Sequence, residues 1–242
     1  MHFIRAVCFD LDNTLWDVLP PLLRAEHAVY EFLKARYPRI PANLTIDAMR
    51  AARERMMMSH PHMRHDFSFM RKQALRDHAG EYGYPESLAE EAFQIFLHAR
   101  NQIELYDEVL PVLEALRQKY RLFSASNGNA DLQRIGLAHL FERSVAARDV
   151  GALKPDAAVF LNVIEATDLE PNEVLFVGDD PEHDVEGARR AGMHAVWVNR
   201  AGAAWPSHFD PPPYSVKTLH DVAALLGMVP ALGAQQPQGC PA

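Results

Sequence analysis

The chain has 242 residues, 48% of them hydrophobic, and a formal net charge of −8. This length suits one sizeable domain or a domain with a smaller insertion, and the acidic balance argues against nucleic acid or an anionic membrane surface as the main partner. The two cysteines, Cys8 and Cys240, imply no disulfide framework. No apolar run approaches the ~18 residues of a membrane span and no signal peptide is visible, so a cytoplasmic protein is expected.

The first predicted element is a strand, followed by a long helical stretch. Residues 3–9 form a short apolar run whose β-branched and aromatic content favours a buried strand. From Leu19 to about Arg100 the apolar spacing is helical and falls into roughly four segments separated by proline and glycine. The predicted helices are 21–36, a second opening with Thr45 as N-cap, 67–82 and 86–102.

After Tyr106 the pattern alternates between helix and strand. Helices are predicted at 109–119, 132–140, 156–166 and 185–191, and strands at 121–126, 144–146, 174–178 and 194–199. Strands separated by helices of this length indicate βαβ units and a parallel sheet. The sequence therefore predicts an α/β protein with a doubly wound parallel-sheet core (1–16 and 105–227), an inserted all-helical cap (17–104) and a disordered tail (228–242).

Four polar clusters fall where such a sheet binds its ligands, beyond the carboxyl ends of the strands. The first contains Asp10 and Asp12 directly after the first strand. Residues i and i+2 of an extended chain face the same way, roughly 6–7 Å apart, so both carboxylates can address one substrate atom. Their repulsion tends to hold one proton on the pair, giving one ionised group and one acid. A helix cap or a turn would use the same residue types.

The second and third clusters suit an anion. Ser126 and Asn127 follow a predicted strand and lie where a loop is predicted to turn into a helix, so that a hydroxyl and exposed amide N–H groups can bind an anion there, and Gly128 permits a tight turn. Lys154 lies just before a helix and could offset negative charge. An ordinary turn and a solvated lysine are the alternatives for these two clusters.

The fourth cluster suits a metal. Asp179, Asp180 and Asp184 offer hard oxygen ligands directly after a buried strand. Magnesium favours a few carboxylates completed by water and substrate phosphate. The alternative is a helix N-terminus decorated with acidic residues that suit its dipole.

Together, these clusters resemble the four motifs of the haloacid dehalogenase superfamily of aspartate-nucleophile phosphatases. The motifs occur in order as Phe9-Asp10-Leu11-Asp12-Asn13-Thr14, Ser126-Asn127-Gly128, Lys154-Pro155 and Gly178-Asp179-Asp180 with Asp184. The helical stretch after the first motif resembles the C1-type cap of that superfamily. Ser126-Asn127-Gly128-Asn129-Ala130 is also similar to the branch of bacterial flavin-pathway phosphatases, which act on the phosphoribitylamino-uracil precursor of riboflavin and on FMN.

The resemblance implies a role for each motif in hydrolysing a small-molecule phosphate ester. Asp10 would attack phosphorus and form an aspartyl-phosphate, while Asp12 would act as acid and then base. Ser126 and Asn127 would grip the phosphoryl oxygens, and Lys154 would offset their charge. The implied Mg²⁺ ligands are Asp10, the Asp12 carbonyl, Asp179 and Asp180, with Asp184 in an outer role.

Several rival functions use the same fold. Phosphomutases of the superfamily keep all four motifs. Its dehalogenases use the first aspartate without a metal and lack the second carboxylate, so Asp12 and Asp179 argue against that activity. A non-catalytic binding protein would be expected to have lost some catalytic positions. The physiological substrate and the choice between monomer and homodimer remain open.

Within the predicted cap, a stretch of histidines and methionines is predicted to be a mobile loop facing the substrate. It contains His60, His62, His65, Met56, Met57, Met58 and Met63. Its spacing matches no standard transition-metal site, although such a site is the alternative. Arg64 or Arg71 is a candidate for contacting a second polar group on the substrate, and Trp16 is predicted to pack at the hinge between core and cap.

Overall fold

The protein is described by a computed structural model covering residues 4–212 and 214–227. The predicted disordered tail, 228–242, lies outside the described residues. The strands are β1 (Ala6–Phe9), β2 (Arg121–Ser126), β3 (Arg143–Ala146), β4 (Val174–Gly178), β5 (His194–Val198) and β6 (Ser215–Val216). They form a parallel sheet in the order β3-β2-β1-β4-β5-β6. The chain therefore moves outward from β1 to β3 and restarts on the other side of β1 with β4.

Both faces of this sheet are buried, which explains why its strands are almost wholly apolar. In β1, Val7 and Phe9 enter the core on one face, whereas Ala6 and Cys8 enter the core on the other. The helices of this region are α5 (Val109–Leu116), α6 (Leu132–Ile135), α7 (Ala147–Val150), α8 (Ala157–Ile164), α9 (Gly187–Arg190) and α10 (Leu219–Leu225). The predicted doubly wound α/β core is confirmed.

Two predicted helices are interrupted. The predicted helix 132–140 ends after Ile135, because Gly136 adopts a positive φ of 89°, and a short 3-10 turn follows at Ala138–Leu140. The predicted helix 185–191 is reached through a π-helical turn at Pro181–Glu186 before α9 begins. The sequence analysis also did not identify α7, β6 or α10.

Between β1 and α5 the chain forms four helices, which we call the helical insert. They are α1 (Leu19–Arg36), α2 (Ile46–Ser59), α3 (Phe67–Glu81) and α4 (Leu88–Arg100). Thr45 caps α2 as predicted, since its side chain accepts a hydrogen bond from the Ala48 N–H. The insert has apolar clusters of its own, separate from those that cover the sheet. No helix among the described residues is long and apolar enough to cross a bilayer.

The two chain segments that connect the insert to the sheet run side by side. Trp16 forms an antiparallel bridge with Leu105, and the Tyr106 N–H donates to the Leu15 carbonyl at 3.1 Å. Trp16 is completely buried in the core beside these connections. This position agrees with the predicted packing of Trp16 at the junction.

The histidine- and methionine-rich stretch forms part of a helix and a 3-10 turn where a loop was predicted. Met56 to Met58 belong to α2, and the residues after it form a 3-10 turn at Pro61–Met63. Within 4–212 and 214–227, the histidines of this stretch form no metal-ligand cluster. The amphipathic periodicity of α2 extends through the methionines, which is why a helix forms where a loop was expected.

Candidate active site

The predicted catalytic residues meet at the carboxyl edge of the sheet, at the point where the strand order reverses. Asp10 follows β1 directly and extends its ladder, because the Asp10 N–H donates to the Val177 carbonyl of β4 at 2.9 Å. The Asp10 side chain is buried. Asp12 lies two residues further on and is partly exposed, so the two carboxylates occupy different environments.

Lys154 connects two of the clusters. Its Nζ donates to Asp10 Oδ1 at 2.5 Å and to Asp184 Oδ1 at 2.6 Å, and all three side chains are buried. Burial alone would lower the pKa of Lys154, but the charges of Asp10 and Asp184 raise it above its usual value. Lys154 is therefore a fixed positive charge beside Asp10 and not the solvated lysine of the alternative.

Three carboxylates converge next to this lysine. Asp10, Asp179 and Asp184 each place one oxygen within 4.8 Å of the others. Burial, together with the charge of Asp184, raises the pKa of Asp179 to about 7, and burial also raises the pKa of Asp10. Such crowding is unfavourable unless a cation offsets it, and an all-oxygen donor set suits magnesium. The residues present therefore fit a divalent metal.

The fourth predicted ligand, Asp180, is not part of this cluster, whereas Asp184, which was predicted in an outer role, belongs to it. The Asp180 carboxylate caps the following turn by accepting from the N–H groups of Glu182 and His183 at 2.9 and 2.8 Å. Asp184 is completely buried and approaches Gly178 so closely that any side chain at 178 would overlap it. In this conformation the Asp180 carboxylate is used as a cap, while both Asp184 oxygens accept hydrogen bonds, from the Lys154 Nζ and the Asp180 N–H. The assignment of direct and outer metal ligands among these residues therefore stays a prediction.

Ser126 and Asn127 lie beside Asp10 and Lys154 as predicted, although no helix begins there. Ser126 ends β2 and its Oγ accepts from the Gly128 N–H at 2.9 Å. The Asn127 side chain accepts from the Lys154 N–H at 2.8 Å and donates to the Lys154 carbonyl at 3.1 Å. Asn127 therefore holds the lysine loop in place through its side chain, which leaves its backbone N–H for other contacts.

Asp12 has two partners that the sequence analysis did not identify as such. Arg100, the last residue of α4, donates from one nitrogen to both Asp12 oxygens at 2.5 and 2.6 Å. The Trp16 indole N–H donates to Asp12 Oδ1 at 2.8 Å. Gly128 makes room for this arrangement, since a Cβ there would stand 2.6 Å from Asp12 Oδ2. Arg100 carries no sequence signal beyond its helix C-terminal position, where a basic residue is ordinary.

Two adjoining cavities, which share lining residues, open around these side chains. A cleft of about 250 Å³ contains all eight predicted site residues. A second cavity of about 240 Å³ lies between the catalytic loop and the insert. Four residues line both spaces: Asp12, Val18, Phe67 and Gly128. Asp12 therefore stands at the boundary between a polar, acidic cleft and a chamber lined by the insert.

Comparisons with known proteins agree on one family. A family profile described as haloacid dehalogenase-like hydrolase matches residues 4–192. The chain is 32% identical over 200 residues to the Escherichia coli 5-amino-6-(5-phospho-D-ribitylamino)uracil phosphatase YigB, covering 81% of this chain and 83% of that protein. It is 38% identical over 136 residues to a Thermus thermophilus phosphoserine phosphatase, covering 54% and 55% of the two chains.

One similar solved structure is named after a different activity, dehalogenation. The crystal structure of a 2-haloacid dehalogenase from Pseudomonas syringae superposes with a TM-score of 0.88 at 34% identity, covering 93% of this chain and 99% of that one. Phosphatases and a protein named as a dehalogenase are thus both similar to this chain, so the choice between them depends on the site.

Proposed function

This chain belongs to the haloacid dehalogenase-like hydrolase family and is a phosphatase of that family, and we propose that it hydrolyses a small-molecule phosphate monoester with Mg²⁺ through Asp10. One observation carries the proposal: Asp10, Asp179 and Asp184 converge within 4.8 Å beside Lys154. A substrate phosphate brings further negative charge into this cleft. A cation held by this carboxylate cluster would offset the added negative charge next to the nucleophile.

Asp10 is the proposed nucleophile. Its carboxylate would attack phosphorus in line, forming an aspartyl-phosphate while the bond from phosphorus to the alcohol oxygen breaks. The hydrogen bond from Lys154 holds Asp10 Oδ1 at 2.5 Å and so fixes the direction of the carboxylate. Water then attacks the aspartyl-phosphate and releases inorganic phosphate, which restores Asp10.

Asp12 is the proposed acid and base. It would give a proton to the departing alcohol oxygen and later take one from the attacking water. Its position supports these roles, because it lines both the cleft that holds Asp10 and the chamber next to it. A phosphate ester bound across that boundary would place its alcohol oxygen beside Asp12.

The carboxylates of Asp10, Asp179 and Asp184, with the Asp12 carbonyl that the resemblance implies, would hold the metal. When bound, Mg²⁺ supplies positive charge against the phosphoryl oxygens. Ser126 and the Asn127 N–H would hold the same oxygens from the opposite side of the cleft, and Lys154 would neutralise part of their charge.

The mechanism is tested by hydrolysis of phenyl phosphate. Asp10→Asn removes the nucleophile and should abolish phosphate release, as should EDTA in the wild type, with activity returning on addition of Mg²⁺. Glu182→Gln, at the rim beyond the carboxylate cluster, is the matched control and should retain activity. Full activity of Asp10→Asn, or of the EDTA-treated enzyme, would refute the mechanism.

The dehalogenase reading is the second candidate, because the structure named as a 2-haloacid dehalogenase superposes so closely. The site argues against it, since a dehalogenase of this superfamily needs neither a metal nor the second carboxylate, whereas this chain has both Asp12 and a carboxylate cluster. An assay of halide release from L-2-chloropropionate in the presence of EDTA distinguishes a dehalogenase from a phosphatase. Turnover of that compound, with none of phenyl phosphate, would reverse the assignment.

The proposed substrate is the phosphorylated ribitylamino-uracil precursor of riboflavin, with FMN as a related candidate. The support is the similarity to the Escherichia coli phosphatase of that name, which extends over 83% of its length. A panel of phosphate monoesters that includes both compounds, sugar phosphates and phosphoserine tests it by kcat/KM. If neither flavin-pathway compound ranks above the generic phosphates, this substrate assignment fails while the phosphatase mechanism stands.

A further inference from the structure

The chamber beside the catalytic cleft has walls of two kinds. Apolar side chains come from all four helices of the insert, namely Leu22, Met57, Phe67, Met70 and Phe96. Three arginines, Arg53, Arg71 and Arg100, line the same space. The side chains of Arg71 and Arg100 are largely buried, with exposed fractions of 12% and 3%. Burying several guanidinium groups costs free energy unless each has a partner.

The anionic partners within the protein are used up by the other arginines. The two oxygens of Glu26 accept from Arg50 and Arg53, and both oxygens of Asp12 accept from Arg100. Arg71 makes no hydrogen bond to any residue in 4–212 or 214–227, and it forms only a long ion pair with Glu26, with Oε1 at 3.9 Å. One largely buried cation in the chamber wall is therefore left without an acceptor.

Arg71 is also held in a fixed orientation. Its guanidinium carbon lies 3.5 Å from the centre of the Phe96 ring. Phe96 is itself buried, so the ring supports one face of the guanidinium group. A planar guanidinium stacked in this way still has N–H groups at its edge, which suit two oxygens of a planar acceptor. Burial and the nearby charge of Arg53 lower the pKa of Arg71, and the charge of Glu26 opposes them only in part.

We propose that Arg71, which lines the chamber that would receive the leaving group, selects substrates whose alcohol carries a planar oxygen acceptor. The acceptor is a carboxylate, whose two oxygens can accept from both N–H groups of a guanidinium edge, or one imide carbonyl of a pyrimidine-type ring, whose single oxygen can accept from the same edge. Methionine and phenylalanine side chains would pack against the rest of the leaving group. This inference rests on the proposed phosphatase function, since the chamber adjoins the cleft that holds Asp10 and shares Asp12 with it.

Two matched substrate pairs test the proposal in the wild type. For the imide, phosphorylated ribitylamino-uracil is compared with ribitol 5-phosphate; for the carboxylate, 3-phosphoglycerate is compared with glycerol 3-phosphate. Hydrogen bonds to a charged group support a preference in kcat/KM of about 10- to 100-fold for the acceptor-bearing member of one pair. The pair that shows the preference identifies the acceptor. No preference in either pair overturns the proposal, whether or not any variant folds.

The role of Arg71 is tested by the same ratios in Arg71→Met. The variant keeps an unbranched apolar stem but loses the N–H groups, so the preference should fall to within about threefold, through a higher KM for the acceptor-bearing substrate. Arg76→Met is the control, because Arg76 lies on the same helix outside the chamber, and it should keep the wild-type ratio. A preference that survives Arg71→Met overturns the assignment to Arg71. If the wild type hydrolyses none of the four phosphate esters, by contrast, that result would count against the phosphatase mechanism itself.

Discussion

The clearest quantitative consequence of the carboxylate cluster concerns the pH dependence of magnesium binding. Mg²⁺ requires ionised carboxylates, whereas in the metal-free chain burial and the charge of Asp184 raise the pKa of Asp179 to about 7. Below that pH the metal must displace a proton from Asp179. We therefore expect the Kd for Mg²⁺ to weaken as the pH falls through 7 and to level off above it.

The magnitude follows from the titration of this one group. At pH 5.5 a carboxyl group with a pKa of about 7 is ionised in roughly one molecule in 30, so Kd should rise about 30-fold between pH 8.5 and pH 5.5. Burial also raises the pKa of Asp10, and any proton held there adds to the effect. The 30-fold change is accordingly a lower bound for the cluster.

Isothermal titration calorimetry in buffers of different ionisation enthalpy measures both the affinity and the number of protons released. About one proton should leave per Mg²⁺ bound near pH 6, and close to none at pH 8.5. Asp180→Asn is the matched control, because asparagine also caps a helix and Asp180 lies outside the cluster. A Kd that is the same at pH 5.5 and 8.5 would refute the reasoning, and loss of binding in Asp180→Asn would restore Asp180 as a ligand.

Two further predictions concern stability and Asp12. In the metal-free chain the contribution of Asp179 to the free energy of unfolding should decrease as the pH rises from about 4 to about 7. The reason is that the Asp179 carboxyl group has a pKa of about 7 in the folded state against 3.8 in the unfolded chain. Urea denaturation in EDTA at several pH values measures this contribution, and an increase over this range would contradict the prediction. Gly128→Ala should displace the Asp12 carboxylate, since the added Cβ would lie 2.6 Å from its Oδ2, and should lower kcat by about 100-fold for alkyl phosphates. The loss should be smaller for p-nitrophenyl phosphate, whose leaving group needs less help from an acid, and equal losses would argue against the acid role.

The sheet could be predicted from sequence because its strands are buried on both faces. β2 and β4 are found with the predicted bounds, 121–126 and 174–178, since each is an apolar run that ends where polar site residues begin. The edge strand β6 was missed because a two-residue strand has no periodicity to detect. The interruption at Gly136 did have a signal in the sequence, the glycine itself, but the apolar spacing continued across it.

The site was harder to predict where it depends on side-chain direction. Asp179, Asp180 and Asp184 are equally good ligands by residue type, and only the folded turn shows that Asp180 caps a helix while Asp184 faces Asp10. The same limit applies to Arg100 and Arg71. Their partners, Asp12 and Phe96, are 88 and 25 positions away in the chain, so no local pattern could have paired them.

In the proposed mechanism, Asp12 connects substrate recognition by the insert with the chemistry at Asp10. Both Asp12 oxygens are held by Arg100 of α4, so an acid at this position can reach a leaving oxygen only once that pair has loosened. Asp12, Arg100 and Arg71 all line the chamber that a leaving group would enter. Oxygen atoms on such a group can replace Asp12 as acceptors for Arg100, and a group without them cannot. Binding of the leaving group to the arginines and release of Asp12 from Arg100 would then happen together. This coupling would explain why a residue of the helical insert pairs directly with Asp12.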